Sequence, residues 1–375
     1  MAYGTVNADT LVTSTSGGIL GAGNASIMKN RIINGAMVIL QRGTSFSFAT
    51  GSGNYYYGAD RFATQDYTWS SGSNITVSND TTVYPTGFRN SYKYATGATG
   101  LTLASGGVQF IRQAIEGYNI ADCYTGNVTI SFWVRSSTAG QYNIMLTNNS
   151  SSFEKYTTRN YTINSANTWE QKSITVDLST GTSSGTWNTT NGEGLSLNFM
   201  LGANANRTGN DGLNTWATGG SPSYAWQTTG SVQLATIANS TFYITGVQLE
   251  VGSSATGFEY VNYQTSLANC QRYCFKMSTT SNYGPYGMGH GVNTTTFRTF
   301  IKTPQTLRAQ PTLSFSTASG FIWSFGNALS AISAAEYGVD GFSIDCTSTG
   351  LAANGGYLLT SNNNTTSSII ASAEL

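Results

Sequence analysis

The most regular feature of the chain is the alternation of apolar and polar residues in many short segments. Between residues 128 and 135, Val, Ile, Phe and Val alternate with Thr, Ser, Trp and Arg, and alternation recurs at 91–95, 171–178, 194–201 and 241–250. A period of two is typical of a strand with one face on a core and one face toward solvent. Clusters of Gly, Asn and Ser separate these segments without intervening helical patterns. The sequence therefore predicts an all-β fold, an antiparallel β-sandwich of the jelly-roll kind.

The pattern changes along the 375 residues and divides the chain into four parts. Residues 1–30 are rich in small residues and have little to bury, which predicts an extended N-terminal arm ordered by a partner or by its own copies, or a floppy terminus. Residues 31–262 are predicted to form the jelly-roll domain. Helical spacing at 263–277 predicts a short helical linker, with apolar positions Tyr263, Leu267, Cys270, Cys274 and Met277. Residues 278–375 return to strand patterns and predict a smaller C-terminal β domain.

Composition narrows the class of protein. Only 9% of residues are charged, far below the roughly 25% of an ordinary domain, so Ser, Thr, Asn and Gly must cover the surface. The 17 basic and 17 acidic residues cancel and form no basic block, so nucleic acid is not an expected partner. No signal-peptide pattern and no run approaching roughly 18 apolar residues is present. We expect synthesis in a host cytoplasm without a signal peptide and no membrane insertion.

Sequence motifs for catalysis are missing. The single histidine, His290, lies between glycines, with no motif that places a nucleophile or an orienting carboxylate beside it. Carboxylates could hydrolyse a glycoside if the fold held two of them roughly 5 to 9 Å apart. The candidate pairs are Glu116 with Asp122, Asp60 with Asp66, and Glu250 with Glu259, and their surroundings favour structural roles.

Metal and cofactor sites are not expected either. Cys270 and Cys274 could share a helix face, but no histidines or second cysteine pair complete a zinc site, and we expect all four cysteines, these two with Cys123 and Cys346, to be reduced and buried. The turn at 206–212 could hold calcium, yet its spacing is that of an ordinary Asn-Gly turn. The sequence thus predicts a protein that is not an enzyme.

Several motifs, in one order along residues 30–277, together resemble the tail-fibre and virion structural proteins of tailed bacteriophages, particularly those of cyanobacteria. They are Asn-Arg-Ile-Ile-Asn-Gly-Ala-Met-Val-Ile at 30–39, Gln-Arg at 41–42, Gly-Ala-Asp-Arg-Phe at 58–62, Gln-Ala-Ile-Glu-Gly-Tyr-Asn at 113–119, Ser-Phe-Trp-Val-Arg-Ser-Ser at 131–137, Ala-Asn-Thr-Trp-Glu at 166–170, Thr-Phe-Tyr-Ile-Thr-Gly-Val-Gln-Leu-Glu-Val-Gly at 241–252, Ala-Thr-Gly-Phe-Glu-Tyr at 255–260 and Cys-Gln-Arg-Tyr at 270–273.

The resemblance implies a structural subunit of the virion tail. Its main domain would be similar to jelly-roll carbohydrate-binding modules, and the chain would assemble as a homotrimer. The N-terminal arm would join other tail proteins, and the protein would recognise host cell-surface polysaccharide. The family provides no catalytic residues to transfer. The alternatives left open are a capsid decoration or cement protein, a glycan depolymerase tailspike and, third, a cellular carbohydrate-binding module.

Recognition of a sugar would use aromatic faces that stack on a pyranose, with amides and hydroxyls that bond to its hydroxyl groups. Two groups of aromatics lie among such residues, although a single aromatic residue more often packs in a core or between subunits than binds a ligand. The predicted glycan-binding residues are Trp216, Tyr224 and Trp226 in a loop at 203–230, and Tyr283, Tyr286, Trp323 and Tyr337 in the C-terminal domain.

Overall fold

The computed structural model describes residues 28–48, 53–65, 67–72, 74–148, 154–219, 225–323 and 326–375, with the backbone of 11–12 and 19–20; for 67–70 the backbone alone is described. The predicted N-terminal arm therefore lies mostly outside the described residues. Within it, β1 (Leu11–Val12) pairs antiparallel with β2 (Ile19–Leu20). The extended form of the arm and its attachment role stay predictions.

The first large unit is built from short antiparallel strands, as the alternation predicts. Their bounds are β3 Ser45–Phe48, β4 Tyr55–Ala59, β5 Phe62–Gln65, β6 Tyr67–Ser71, β7 Ile75–Asp80, β8 Ser91–Thr96, β9 Thr102–Glu116, β10 Asn127–Ser136, β11 Gly140–Thr147, β12 Lys155–Ile163, β13 Glu170–Asp177, β14 Glu193–Ala203, β15 Ala217–Thr218 and β16 Thr241–Val251. Short 3-10 turns lie at Gly117–Asn119, Ala121–Cys123, Ala205–Arg207 and Leu234–Thr236.

These strands form two packed sheets. Sheet one has the order β13-β10-β16-β8-β7-β3, and sheet two has the order β15-β12-β11-β14-β9-β5-β4, with β6 also paired to β9. Alternate residues of each sheet enter one core, and Val128, Ile130 and Phe132 are fully buried there. The polar residues between them, Thr129 and Ser131, point to the opposite face of the sheet, because successive side chains alternate along a strand, and they are buried there as well. The predicted all-β, jelly-roll sandwich is confirmed.

A single α-helix of the described chain, α1, spans Tyr263–Gln271 and is shorter than predicted. The helix begins as expected, since the side chain of Asn262 accepts a hydrogen bond from the Thr265 amide and caps the first turn. The predicted helical segment 263–277 is wrong beyond Gln271, because Cys274–Ser278 is a strand that pairs with residues 368–372. Pairing with a distant strand overrides the local apolar spacing there.

The second unit contains two further antiparallel sheets, as predicted for a smaller β domain. Its strands are β17 Cys274–Ser278, β18 Pro285–Gly291, β19 Thr296–Lys302, β20 Thr312–Phe315, β21 Phe321–Trp323, β22 Ala331–Tyr337, β23 Gly341–Thr347, β24 Gly356–Ser361 and β25 Ser368–Ser372, with a 3-10 turn at Ala318–Gly320. The sheets have the orders β17-β25-β20 and β21-β24-β18-β19-β23-β22. They enclose a separate core. The domain boundaries given above stay predictions.

Polar contacts join the two units. Glu374, which follows β25, accepts hydrogen bonds from Arg42, at 3.0 Å, and from Arg61 of the sandwich. The guanidinium of Arg61 also lies 3.6 Å from the ring centroid of Tyr273. Gln41 donates to the carbonyl of Cys274 at 2.7 Å. Because Arg61 is buried, its charge depends on these partners rather than on water.

Candidate functional site

The first group of sequence-predicted contacts mostly packs inward. The ring of Trp226 is 6% exposed and stacks on Phe110, with the ring centroids 5.1 Å apart. Trp216 is partly buried, and its Nε1 donates a 2.8 Å hydrogen bond to the carbonyl of Asp177. Tyr224 lies outside the described residues. As a correction, Trp226 is a packing residue whose ring face is covered, and it cannot stack on a sugar in this structure.

Trp226 is buried because the outer face of sheet two is apolar. Strands β9, β11, β12 and β14 carry apolar side chains on this face as well as on the core face, and the sheet needs a cover on both sides. The segment that contains Trp226 provides the cover, and the Asn143 side chain holds it by donating to the Trp226 carbonyl at 3.0 Å. This small apolar cluster on the outer face of sheet two consists of Val108, Phe110, Met145, Tyr156, Met200, Ala203 and Trp226.

The C-terminal group is divided between core and surface. Tyr286 is 4% exposed, and its hydroxyl donates to the carbonyl of Ser367 at 2.6 Å. Trp323 is partly buried, edge-on to Tyr357. Tyr283 and Tyr337 are exposed, before β18 and at the end of β22, and β19 and β23 lie between those two strands. As a correction, Tyr286 is a core residue, and the remaining side chains are not gathered into one site.

An open cleft lies elsewhere, on the sandwich beside α1. It encloses about 600 Å³ between the segment 28–34, the segment 259–262 and one face of the helix, and we call it the α1 cleft. A smaller recess of about 200 Å³ adjoins it and shares the side chains of Asn30, Glu259 and Tyr260. Such concave sites with a few convergent polar groups are typical of ligand binding.

Asn30 fixes one wall of the α1 cleft. Its side-chain oxygen accepts hydrogen bonds from the amides of Ile32 and Leu249, at 2.9 and 3.0 Å, while its Nδ2 donates to the Val247 carbonyl at 3.1 Å. Its own backbone amide donates to the Glu259 carboxylate at 2.6 Å. The side chain of Asn30 thus ties segment 28–34 to β16, and its backbone amide ties the same segment to the opposite wall.

Tyr260 presents an aromatic surface at the mouth of the cleft. Its ring lies 5.0 Å from Phe258 and 5.7 Å from Phe88, centroid to centroid, and its hydroxyl donates to the Gly87 carbonyl at 2.9 Å. The side chain nevertheless remains 64% exposed. A ring that is fixed at its tip and on one side, and open on the other, loses little conformational freedom when a ligand stacks on it.

Helix α1 contributes the polar wall. Asn262, Thr265, Asn269 and Arg272 recur at helical spacing on the face that lines the cleft. The amide of Asn269 makes no side-chain hydrogen bond within the described residues, and it is exposed. Amide groups of this kind can both donate to and accept from a ligand hydroxyl.

The base of this wall is held by a buried carboxylate. The side chain of Glu116 is fully buried and accepts from Arg272 Nε at 2.9 Å, from Arg272 Nη2 at 2.5 Å and from the Tyr273 hydroxyl at 2.6 Å. The hydrogen bond with Glu116 raises the pKa of Arg272, and burial raises the pKa of Tyr273. Both groups are therefore protonated donors at neutral pH. We call Glu116, Arg272 and Tyr273 the Glu116 clamp.

The carboxylates considered for hydrolysis are held by neighbouring donors. Besides Glu116 in its clamp, Glu250 accepts from the backbone and hydroxyl of Thr256, at 2.8 and 2.6 Å. Asp60 accepts from Gln41, and burial raises its pKa. Asp122 pairs with Arg31. Asp66 lies outside the described residues.

The other candidate reactive groups are inert or isolated. All four cysteines are free and buried, as predicted, and burial raises the pKa of Cys346 to about 12. Such thiols are poor nucleophiles. His290 is exposed on β18, opposite Arg298 of β19. Within the described residues, no group of three or more His, Cys, Asp or Glu side chains could hold a metal ion. The helix in the described part of the chain is too short to cross a membrane.

Sequence reasoning missed the α1 cleft, although two signals were present. Thr265 and Asn269 lie on the predicted helix, opposite its apolar positions, and Asn262 directly precedes it. The motif at 255–260 and the motif that begins at Asn30 belong to the resemblance, and the sequence assigns neither of them to a binding site. The sequence alone does not indicate that these two segments lie together, because Asn30 and Glu259 are 229 positions apart.

No protein-family model matches the sequence, and no curated protein sequence matches it. Among solved structures, similarity is found to the enzymatically active domain of tailspike protein 4 of bacteriophage CBA120 (12% identity, TM-score 0.31). The match covers 60% of this chain and 22% of that one, so the chain spans about a fifth of its length.

Two further matches are a putative sugar-binding protein from Bacteroides thetaiotaomicron (10%, TM-score 0.31, 60% of this chain and all of that one) and a family 11 carbohydrate-binding module from Clostridium thermocellum (12%, TM-score 0.29, 57% and 98%). Similarity at this level supports no functional argument. The fold assignment depends on the two sheets described above.

Proposed function

We propose that the chain is a structural, glycan-binding subunit of a bacteriophage virion, and that the α1 cleft binds the saccharide. The observation that supports this most directly is the exposed, fixed ring of Tyr260 beside the amides of Asn262 and Asn269. A pyranose has an apolar face that stacks on such a ring and hydroxyls that bond to such amides. Because only 9% of residues are charged and the net charge is zero, the saccharide would be held by stacking and by neutral hydrogen bonds.

In the same proposal the protein is a tail-fibre subunit, assembled as a homotrimer and joined to other tail proteins through residues 1–30. The motif resemblance supports this part. Trimerisation would multiply weak single sites into useful avidity. A decoration protein on the capsid is the competing assignment within the virion. Locating the chain on intact particles by electron microscopy separates the two, because copies on the shell would contradict the tail assignment.

We also infer that the protein is not an enzyme. Two observations support this inference. The described carboxylates named above accept hydrogen bonds from structural neighbours. Among the described residues that line the α1 cleft, Glu259 is the carboxylate, and it accepts a hydrogen bond from the Asn30 amide. Glycoside hydrolysis needs two carboxyl groups on either side of the scissile bond. Release of oligosaccharides from purified host surface polysaccharide by the full-length protein would contradict this inference.

The binding proposal is tested by comparing Tyr260, which lines the α1 cleft, with Tyr263, which is similarly exposed but does not line it. Tyr260→Ala and Asn269→Ala should each weaken binding to host surface polysaccharide, measured by calorimetry or by adsorption to host cells, by about 2- to 13-fold, the range for losing one stacked ring or hydrogen bond. Tyr263→Ala is the matched control, since Tyr263 is 58% exposed on α1 but does not line the cleft. Unchanged affinity in the first two variants, or equal loss in the control, would refute the assignment of the cleft.

A further inference from the structure

The outer face of the C-terminal sheet exposes two large apolar side chains side by side. Met288 of β18 is 76% exposed and Phe300 of β19 is 58% exposed. Each lies one residue beyond the antiparallel pair Gly289–Thr299, so the two side chains face each other across the strands on one face. Leu358 of β24 pairs with Met288 on the other side. These three residues form an apolar row across three neighbouring strands.

The row belongs to the solvent face because the opposite face of the same strands already fills the core. Phe297 and Ile301 on β19, and Leu359 on β24, are buried there. The ring of Phe300 also lies down on the sheet: a Cβ atom placed on Gly341 would come within 2.6 Å of it. Glycine at this position lets the ring lie across β23 with one side open. Contiguous exposed apolar surface of this kind marks an interaction site.

Charges of opposite sign lie on the two halves of the same face. Strand β19 carries Arg298 and Lys302, while β23 and β22 carry Asp345 and Glu336. Arg298 bridges the halves, with bonds of 2.7 and 2.9 Å to Asp345 and 3.0 Å to Glu336. Lys302 forms no ion pair in the described part of the chain, and the Glu336 side chain is 69% exposed. On this face, therefore, an unpaired base, Lys302, lies on the inner strand β19, and an exposed acid, Glu336, lies on the edge strand β22.

We propose that this face, defined by Leu358, Met288, Phe300, Lys302 and Glu336, is the contact surface between copies of this chain. The inference rests on the homo-oligomer proposed above and names its interface. Rotational symmetry would bring Lys302 of one copy against Glu336 of the next, with the apolar row covered between the copies. Met, Phe and Arg are enriched at protein interfaces. The row contains no amide, in contrast to the α1 cleft, which argues against a saccharide as occupant.

The test is the mass of the full-length protein in solution, by light scattering and analytical ultracentrifugation. The double variant Met288→Ser/Phe300→Ser should raise the dissociation constant at least about 30-fold, the effect of losing one hot-spot side chain. Tyr118→Ser/Tyr263→Ser is the control, with 62% and 58% exposure on other elements, and it should keep the wild-type mass. Because the replaced side chains are exposed, circular dichroism should show that the variants fold.

Charge reversal sharpens the test. Glu336→Lys should weaken association, and Lys302→Glu in the same chain should restore it, since the two side chains form no ion pair with each other within a copy. An oligomer that survives Met288→Ser/Phe300→Ser unchanged would overturn the interface while leaving the oligomer proposal standing. A monomeric wild type would overturn both, without affecting saccharide binding by the α1 cleft. Loss of polysaccharide binding with unchanged mass would identify the face as a glycan surface and also overturn the inference.

Discussion

Replacing Glu116 with Ala should be among the most destabilising single changes on this protein's polar network. The carboxylate is fully buried and receives three hydrogen bonds within the Glu116 clamp. Its loss leaves the Tyr273 hydroxyl, which is itself buried, without its acceptor, and leaves the charge of Arg272 without a counter-ion. The variant thus removes an acceptor shared by a buried hydroxyl and a partly exposed guanidinium, and the buried hydroxyl bears the larger penalty.

The magnitude follows from the exposure of the two partners. A buried hydrogen bond to a charged group contributes roughly 1.5 to 3 kcal/mol, which is the value for Tyr273. The Arg272 side chain is 33% exposed, so water replaces much of its lost pairing, and we assign it no more than about 1 kcal/mol. The free energy of unfolding should therefore fall by about 3 kcal/mol. Glu116→Gln, which keeps an acceptor for Tyr273 but turns an amide toward Arg272, should lose about 2 kcal/mol.

Two measurements check the prediction. Urea unfolding gives the change in stability, and hydrogen exchange of the amides in Tyr263–Gln271 shows whether α1 opens locally, since the clamp holds the end of the helix to β9. Glu336→Ala is the control, a carboxylate 69% exposed in a surface pair with Arg298, and it should change stability by less than about 1 kcal/mol. If Glu116→Ala unfolds like this control and leaves helix exchange unchanged, the reasoning about the buried carboxylate fails.

The remaining predictions concern the core of the sandwich, the walls of the α1 cleft and the pH dependence of stability. Phe132→Ala should lower stability by about 3 to 5 kcal/mol in urea, since its ring fills the core against Tyr161 and Phe199; a loss under about 1 kcal/mol would contradict the core assignment. Asn30→Ala should lower the melting temperature and abolish saccharide binding together, whereas loss of one without the other would show that Asn30 does not hold the α1 cleft. For Glu170, partial burial opposes ionisation, but hydrogen bonds from Lys172 and neighbouring amides outweigh it and lower its pKa. Its contribution is therefore present above its unfolded pKa and lost as the pH falls through the folded value, so Glu170→Gln should flatten the acid limb of stability against pH, and an unchanged limb would contradict this.

Strand patterns could be read from the sequence because they are local. The alternation at Val128–Val134 fixes which side chains enter the core whatever the partner strand is, and the Asn262 cap fixes where α1 begins. The end of the helix could not be read, because Cys274–Ser278 becomes a strand by pairing with residues nearly a hundred positions later. Trp226 was misassigned for a related reason. Its loop looks polar and exposed, and only the apolar outer face of sheet two, supplied by Phe110 and Met145, makes that ring a cover.

The contacts of Glu374 have a consequence for the order of events during synthesis. Arg61 and Arg42 precede this carboxylate by 313 and 332 positions. A ribosome adding roughly 5 to 20 residues per second therefore needs on the order of 20 to 60 s between them. During that interval the sandwich strands can pair, but the guanidinium groups of Arg42 and Arg61 do not yet have their acceptor, the carboxylate of Glu374. We expect translation of β25 and Glu374 to act as the committing step, so that nascent chains stalled before Glu374 remain sensitive to protease at the surface around Arg61.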